Sequence, residues 1–275
     1  MKPLQRGMPI RRFHESHGLN IELQEGGVVA KRMASFANAI TFSEKPLKQG
    51  EVFLIEIEDH EKGWSGHLRC GLTQHQPSQM TQNRDPLFNT NLLRIPQYSM
   101  PDLANMGKSW IFAITKYHNR VPSVGRDAAE GTSPASSPKP FIEGFGNYVR
   151  CGGANLPKHK LVGRDKEGGE LLATCIGSRI GITYEIVDGA VEMHFIINGD
   201  DQGGAIMDQA DLDQPFYAMV DVYGTTKQVK IIQLDLVITL QECCRDVIRE
   251  LVSERGVDGL PLPTKLKEYL KFEVP

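Results

Sequence analysis

Three pairs of residues in this 275-residue chain have the types and spacing of reactive groups. His14 and His17 resemble a metal-ligand pair by spacing, yet no cysteine or third histidine is near them in sequence. The adjacent Gly18 favours structural imidazoles at a turn instead. Cys243 and Cys244 invite a redox reading. Neighbours on a helix point about 100° apart, so a buried structural thiol explains Cys244 at least as well. Glu56 and Glu58 would share one face of a strand, as an acid/base pair does. A glycosidase pair needs a positioned cleft, which nothing near them indicates, so a solvated strand face is the better reading. There is no Gly-x-Ser-x-Gly elbow, no phosphate-cradling glycine loop ending in Lys-Ser/Thr, and no Cys-x-x-Cys pair. The expectation is a chain without catalytic residues, metal or cofactor.

The elements that would carry these residues read mostly as strands. Glu51-Val-Phe-Leu-Ile-Glu-Ile-Glu58 puts Phe53, Ile55 and Ile57 on one face and the two glutamates on the other. The stretch 66–73 is short, and its glycines suggest a bend or a close backbone approach. Trp110 to Thr115 is apolar on both faces, as a central strand would be. Residues 184–187 and 191–197 flank Asp188-Gly189, a preferred two-residue turn, and Asn198-Gly199 offers another. Residues 216–223 and 228–234 read as two more strands. Many short strands without intervening helices argue for an antiparallel β-sandwich.

Hydrophobic residues make up 40% and charged residues 24% of the chain, ordinary for a globular protein. A net charge of −3 gives no general attraction to nucleic acid or an anionic membrane. No apolar run reaches membrane-spanning length, so no membrane insertion is expected. Five cysteines do not resemble a disulfide framework. The first residues lack the apolar segment of a secretory signal, and a cytoplasmic location follows as the expectation.

Two regions depart from the strand rhythm. Residues 1–12, basic and containing two prolines, read as a flexible tail. Residues 119–170, rich in Gly, Pro, Ser and charge, read as a loop-like insertion. Ser133 and Ser137 there each precede proline, though a tolerated surface insertion is the plainer reading. At residue 239 the period changes. Thr239 and Glu242 form a capping box, and Leu240, Cys244, Val247, Ile248 and Leu251 recur at helical spacing. Gly256 sits where a glycine would stop this helix, placed at about 240–254. After Leu260-Pro261-Leu262-Pro263, the residues Leu266, Tyr269 and Leu270 repeat the helical spacing. Helices this short are marginal unless packed. Periodicity alone leaves open whether they dock on their own domain or on a partner.

The spacing of the second stretch carries a resemblance. Thr239-Leu240-x-x-x-Cys244-x-x-x-Ile248 resembles the elongin-binding box of a SOCS box. Val257-x-x-Leu260-Pro261-Leu262-Pro263-x-x-Leu266-x-x-Tyr269-Leu270 resembles the cullin-5 box that follows it. Ahead of it, Phe13-His-x-x-His17-Gly18-x-Asn20-Ile21-x-Leu23 is similar to the opening of a neuralized homology repeat. Ser35-Phe36, Ala39-Ile40-x-Phe42-Ser43 and Pro46-Leu47 follow. Trp64-Ser65-Gly66-x-Leu68-Arg69-x-Gly71-x-Thr73 is the most distinctive run. Pro101-Asp102-Leu103, Ile197-Asn198-Gly199-x-x-x-Gly203 and Asp221-Val222-Tyr223-Gly224 continue in the family order.

This resemblance implies a mostly β protein. Its SPRY-like β-sandwich, the neuralized repeat, would occupy 13–234, followed by a short α-helical SOCS box at 236–275. Within the box, the elongin-binding part would be 239–248 and the cullin-5 box 257–270. It further implies a non-catalytic substrate receptor of a cullin–RING ubiquitin ligase, which promotes ubiquitination and degradation of a protein target. Leu240, Cys244 and Ile248 would meet elongin C, bound to elongin B. Leu260, Pro261, Leu262, Pro263, Leu266, Tyr269 and Leu270 would meet cullin-5, which brings its RING-box protein. The target would be held by loops joining the strands, including residues 198–202, since binding residues concentrate on scaffold loops. The rival reading is a peptide- or glycan-binding sandwich with self-docked terminal helices. A hydrolase on the same scaffold has no motif in its favour.

Overall fold

The computed structural model describes residues 11–81, 93–116, 142–145, 148–151, 154–163, 171–234, 248, 252, 254–257 and 259–271. The chain divides into two compact units, Met1–Leu234 and Asp235–Pro275. The first unit holds strands β1 (Ile21–Gln24), β2 (Val29–Arg32), β3 (Ile40–Phe42), β4 (Phe53–His60), β5 (Arg69–Thr73), β6 (Met80–Thr81), β7 (Leu93–Arg94) and β8 (Ser109–Ala113). It continues with β9 (Ile142–Phe145), β10 (Tyr148–Cys151), β11 (Ala154–Pro157), helix α1 (Lys158–Leu161), β12 (Arg179–Val187), β13 (Ala190–Ile197), β14 (Asp200–Ile206), β15 (Tyr217–Asp221) and β16 (Thr226–Ile231).

A 7-stranded antiparallel sheet in the order β1-β2-β16-β4-β12-β13-β14 faces a 4-stranded sheet in the order β3-β15-β5-β8. The core between them follows from alternation. Phe53, Ile55 and Ile57 of β4, Ile180 and Ile182 of β12 and Met193 and Phe195 of β13 meet Cys70 and Leu72 of β5 and Ala218 and Val220 of β15. The outer face of the smaller sheet is also covered. Ile40, Phe42 and Met219 there pack with Met80, Ile95 and Leu103.

The two expected hairpins are present. Asp188 and Gly189, with φ of 51° and 82°, join β12 to β13. Asn198 and Gly199, with φ of 50° and 93°, join β13 to β14. Positive φ at both central residues is the twist-matched hairpin turn. The close approach expected of the glycines in 66–73 occurs at Gly71, where a Cβ would lie 1.9 Å from the Trp110 carbonyl oxygen.

Four expectations are corrected. Among the described residues the strand at Trp110 is not central: β8 pairs only with β5 and stands at the edge of its sheet. Its two apolar faces arise because both are covered, Trp110 and Phe112 by the main core and Ile111 by the outer cluster. The interval 119–170 is not wholly loop-like, since β9, β10 and β11 form a three-stranded antiparallel sheet ahead of α1. Four-residue strands are too short to display a period. Arg11 and Arg12 do not belong to a loose tail. Arg11 bonds Gln233 through both backbone groups at 2.9 Å and pairs with Glu51, and the Arg12 carbonyl accepts from Glu44 N–H at 2.9 Å. In the second unit, Gly256 lies inside a short helix, α2 (Glu254–Val257), rather than after one. The chain turns later, where Gly259 and Leu260 N–H groups donate to the Gly256 and Val257 carbonyls. Helix α3 (Thr264–Lys271) then covers the spacing read at 266–270.

Candidate recognition surface and adaptor segment

Three chain segments cross from one sheet to the other at the same end of the sandwich: 33–39, 61–68 and 222–225. Arg32, the last residue of β2 and fully buried, holds all three. Its Nη1 donates to the Ala34 carbonyl at 2.8 Å and to Glu61 at 2.9 Å. Its Nη2 donates to the Gly224 carbonyl at 2.7 Å and the Thr226 carbonyl at 3.2 Å. A buried guanidinium needs such a set of acceptors, because an unpaired one would leave a charge desolvated.

Four aromatic rings gather above this staple. The Phe36 ring lies 5.0 Å from Trp64, 4.7 Å from Tyr223 and 6.2 Å from Tyr98, centroid to centroid. The first two contacts are edge-to-face, the arrangement ring quadrupoles favour. Arg69, at the start of β5, stacks its guanidinium carbon 3.6 Å from the Tyr223 centroid and donates to the Met100 carbonyl at 3.1 Å. Trp64 is 38% exposed, and its indole N–H donates to Glu61 at 3.1 Å. Gly66 makes room for Tyr223: its φ is +81° and a Cβ would lie 2.9 Å from the ring.

Beneath the rings, Asp221 is opposite Arg69 in the β15–β5 register. It is fully buried and accepts from Ser99 Oγ at 2.6 Å and Ser99 N–H at 3.4 Å. Burial pushes its carboxyl up to about 6, against the opposing pull of the Ser99 hydroxyl and the Arg69 charge. Glu61 is moved the other way, chiefly by its hydrogen bond from Lys227.

The residues singled out for chemistry do not converge. His14 Nδ1 accepts from Ser16 N–H at 2.9 Å, and His17 Nδ1 lies 3.0 Å from the Gly18 carbonyl, both as turn structure. Burial lowers the His14 pKa. Glu56 pairs with Arg179 at 2.7 Å and Glu58 accepts from Gln228 at 2.8 Å, so their face is a cross-strand ladder. Residues 198–202 do not form an open loop. Asn198 Oδ1 accepts from Arg179 N–H at 2.9 Å and its Nδ2 donates to the Leu171 carbonyl at 3.0 Å, while Asp200 begins β14. The sequence reading missed Glu185, Glu192 and His194, whose ligand-type atoms lie within 4.8 Å of one another. Asp201 stands 3.3 Å from His194 Nδ1. The spacing Glu192-x-His194 on a strand was the available signal.

In the second unit, Leu240, Cys244, Cys243, Thr239 and Glu242 lie outside the described residues, as do Ser133 and Ser137. Ile248 is half-buried and its carbonyl accepts from Val252 N–H at 2.9 Å, one helical turn on. Leu260 and Leu262 are half-buried, and Pro261 and Pro263 are exposed. The Pro263 carbonyl starts α3 by accepting from Leu266 and Lys267 at 2.9 and 3.1 Å. On that helix Leu266 is 45% exposed, Tyr269 is half-buried and Leu270 is only 4% exposed.

Comparison with known proteins places these features. The Neuralized family model matches residues 13–233, and the SOCS box model matches residues 236–271. The chain belongs to the Neuralized family. Its Neuralized relative in Homo sapiens, Neuralized-like protein 2, is 40% identical over 280 residues, covering 96% of this chain and 93% of that protein. The human E3 ubiquitin-protein ligase NEURL1B is 34% identical over 104 residues, 38% of this chain and 17% of its own. The crystal structure of the Drosophila melanogaster neuralized-NHR1 domain superposes with a TM-score of 0.51 at 20% identity, covering 82% of this chain and 99% of that one. That likeness shows the Neuralized sandwich fold. The residues of the aromatic cluster fall in the Neuralized match, within the runs at 35–36, 64–73 and 221–224 that carried the resemblance. Tyr98 lies outside those runs. Among the described residues no helix is long and apolar enough to cross a membrane.

Proposed function

We propose that this chain is the substrate-recognition subunit of an elongin B/C–cullin-5–RING E3 ubiquitin ligase. The neuralized repeat, residues 13–234, binds a target protein. The SOCS box, residues 236–275, brings the transfer machinery, and the target is ubiquitinated and degraded. The observation that carries this reading is the SOCS box match at 236–271 directly after the Neuralized match at 13–233. A relative named as an E3 ubiquitin-protein ligase supports it. The chain itself is non-catalytic and cytoplasmic. It acts by proximity, raising the effective concentration of target at the ligase.

The helical spacing of Leu240, Cys244 and Ile248 in the sequence suits a groove on elongin C, in the helix-in-groove mode. Fully burying one leucine contributes roughly 1.5–3 kcal/mol. Leu260 to Pro263, Leu266, Tyr269 and Leu270 meet cullin-5, and the two prolines limit the entropy lost on docking. The test is capture of purified elongin B/C by the full chain. Leu240→Ala with Cys244→Ala abolishes capture while thermal unfolding of the sandwich is unchanged. Undiminished capture by that double variant would exclude the reading.

A further inference from the structure

We propose that Glu185, Glu192 and His194, on the outer face of strands β12 and β13, form a binding site for a divalent transition cation, with zinc as the ion that fits. The site shares no residue with the aromatic cluster, and the proposal stands independently of the ligase reading.

Strand register brings the donors together. Glu185 and Glu192 stand directly opposite each other, and His194 is opposite Thr183 on one side and Gly204 of β14 on the other. Ile182, Met193 and Phe195 point into the core, so their alternating neighbours share the opposite face. Two like charges directly across a ladder are destabilising, and a cation between them removes that cost. Burial pushes the Glu185 carboxyl up, and the charges of Glu192 and Asp201 add to it against the pull of His194.

The distances favour an ion. His194 Nε2 lies 3.4 Å from Glu185 Oε1 and 3.9 Å from Glu192 Oε2. The three donor groups lie within 4.8 Å of one another. Donor atoms around a tetrahedral zinc, at bonds of about 2.0–2.2 Å, stand about 3.3–3.6 Å apart. An imidazolium donating directly to a carboxylate would draw in to about 2.7–2.9 Å. The spacing is that of ligands around an ion.

The surroundings of His194 match a ligand imidazole. Asp201 Oδ1 stands 3.3 Å from His194 Nδ1 and also accepts from Gly203 N–H at 3.0 Å. A carboxylate there only accepts, so Nδ1 carries the hydrogen and Nε2 keeps its lone pair for a metal. A carboxylate behind the far ring nitrogen is the usual support of a metal-bound histidine. Thr183 Oγ1, on the same face, is fully buried and has no hydrogen-bond partner among the described residues. Gly204 leaves the donors uncrowded, since a Cβ there would lie 2.9 Å from both Glu192 Oε2 and His194 Nε2. Burial, then the charges of Asp201 and Glu185, push the Cys151 thiol up to about 12, so the donor set is oxygen and nitrogen. Carboxylate and imidazole together suit zinc better than calcium or magnesium.

The test uses the full chain, stripped with EDTA and titrated by calorimetry with Zn2+, Ca2+ and Mg2+. Zn2+ is expected to bind and to raise the thermal unfolding midpoint, while Ca2+ and Mg2+ do neither. Both effects are lost in His194→Gln and in Glu185→Gln with Glu192→Gln. The double variant keeps the side-chain shapes and loses a repulsion. Its metal-free midpoint therefore stays at or above that of the unaltered chain, which guards against a folding artefact. Asp201→Asn, at a positioning residue, lowers Zn2+ affinity by roughly 10–100-fold and leaves the metal-free midpoint unchanged. With Co2+ as the probe, the difference spectrum between the unaltered chain and His194→Gln shows d–d bands without a thiolate charge-transfer band. No Zn2+ uptake, uptake undiminished in His194→Gln and the double variant, preference for Ca2+ over Zn2+, or a thiolate band in that difference spectrum would each overturn the proposal.

Discussion

Arg32 Nη1 stands 2.9 Å from Glu61 Oε2, and the same guanidinium reaches the Ala34 and Gly224 carbonyls. One buried cation therefore joins the three described crossings at the ring-bearing end of the sandwich. Replacing it with an apolar side chain of similar length leaves buried backbone carbonyls without their donor. Arg32→Met is expected to lower stability by about 2–4 kcal/mol, read as a shifted urea midpoint. Glu61→Gln should cost much less, because Glu61 meets solvent. Equal losses in the two variants would show that the staple does not act through the carbonyls.

Gly66 and Tyr223 are matched in the same way. A Cβ at residue 66 would meet the ring at 2.9 Å on a backbone with φ of +81°. Gly66→Ala is expected to cost about 1–2 kcal/mol, and the displaced ring should alter the near-ultraviolet circular dichroism. An unchanged aromatic spectrum would mean that the loop relaxes away from the ring.

Asp221 makes stability depend on pH. Burial, the largest cause, raises its carboxyl from 3.8 to about 6 in the folded chain. The folded state thus holds the proton more tightly than the unfolded chain. Its contribution is fully present below the unfolded carboxyl range and is lost as pH rises through about 6. Between pH 7.5 and pH 4 this group is expected to add on the order of 2–3 kcal/mol. Asp221→Asn should remove that component from urea titrations taken across the range. A variant that keeps the full slope would assign it to other groups.

Exposure divides the residues of the last helix. Leu266 is 45% exposed and Leu270 is 4% exposed, although they lie one turn apart on the same helix. Leu266→Ala should weaken cullin-5 binding severalfold with no change in unfolding of the tail. Leu270→Ala should raise protease susceptibility of residues 254–271 first. Changing Leu260-Pro261-Leu262-Pro263 to alanines should preserve elongin B/C capture and reduce cullin-5 affinity in competition. Equal cullin-5 affinity in that variant would remove these residues from the interface.

Local pattern carried the sheets far. Alternation in 51–58, the Asp188-Gly189 and Asn198-Gly199 turns and the strands at 216–223 and 228–234 are all visible in sequence, because each depends on residues within a few positions. Trp110 misled because a strand covered on both faces has the same apolar pattern at an edge as at a centre. Strands β9 to β11 were missed because four residues hold barely two periods.

The sequence by itself determined the sandwich class, the change of period at 239 and the ordered motifs of the Neuralized family, all of which are local spacing. Only the tertiary structure decided what the residues at 32, 36, 64, 69, 98 and 223 do together. They draw on distant parts of the chain: the Arg32 bond to the Gly224 carbonyl spans 192 positions. They meet because three loops cross between sheets at one end, and that convergence depends on strand order and register, not on any spacing along the chain.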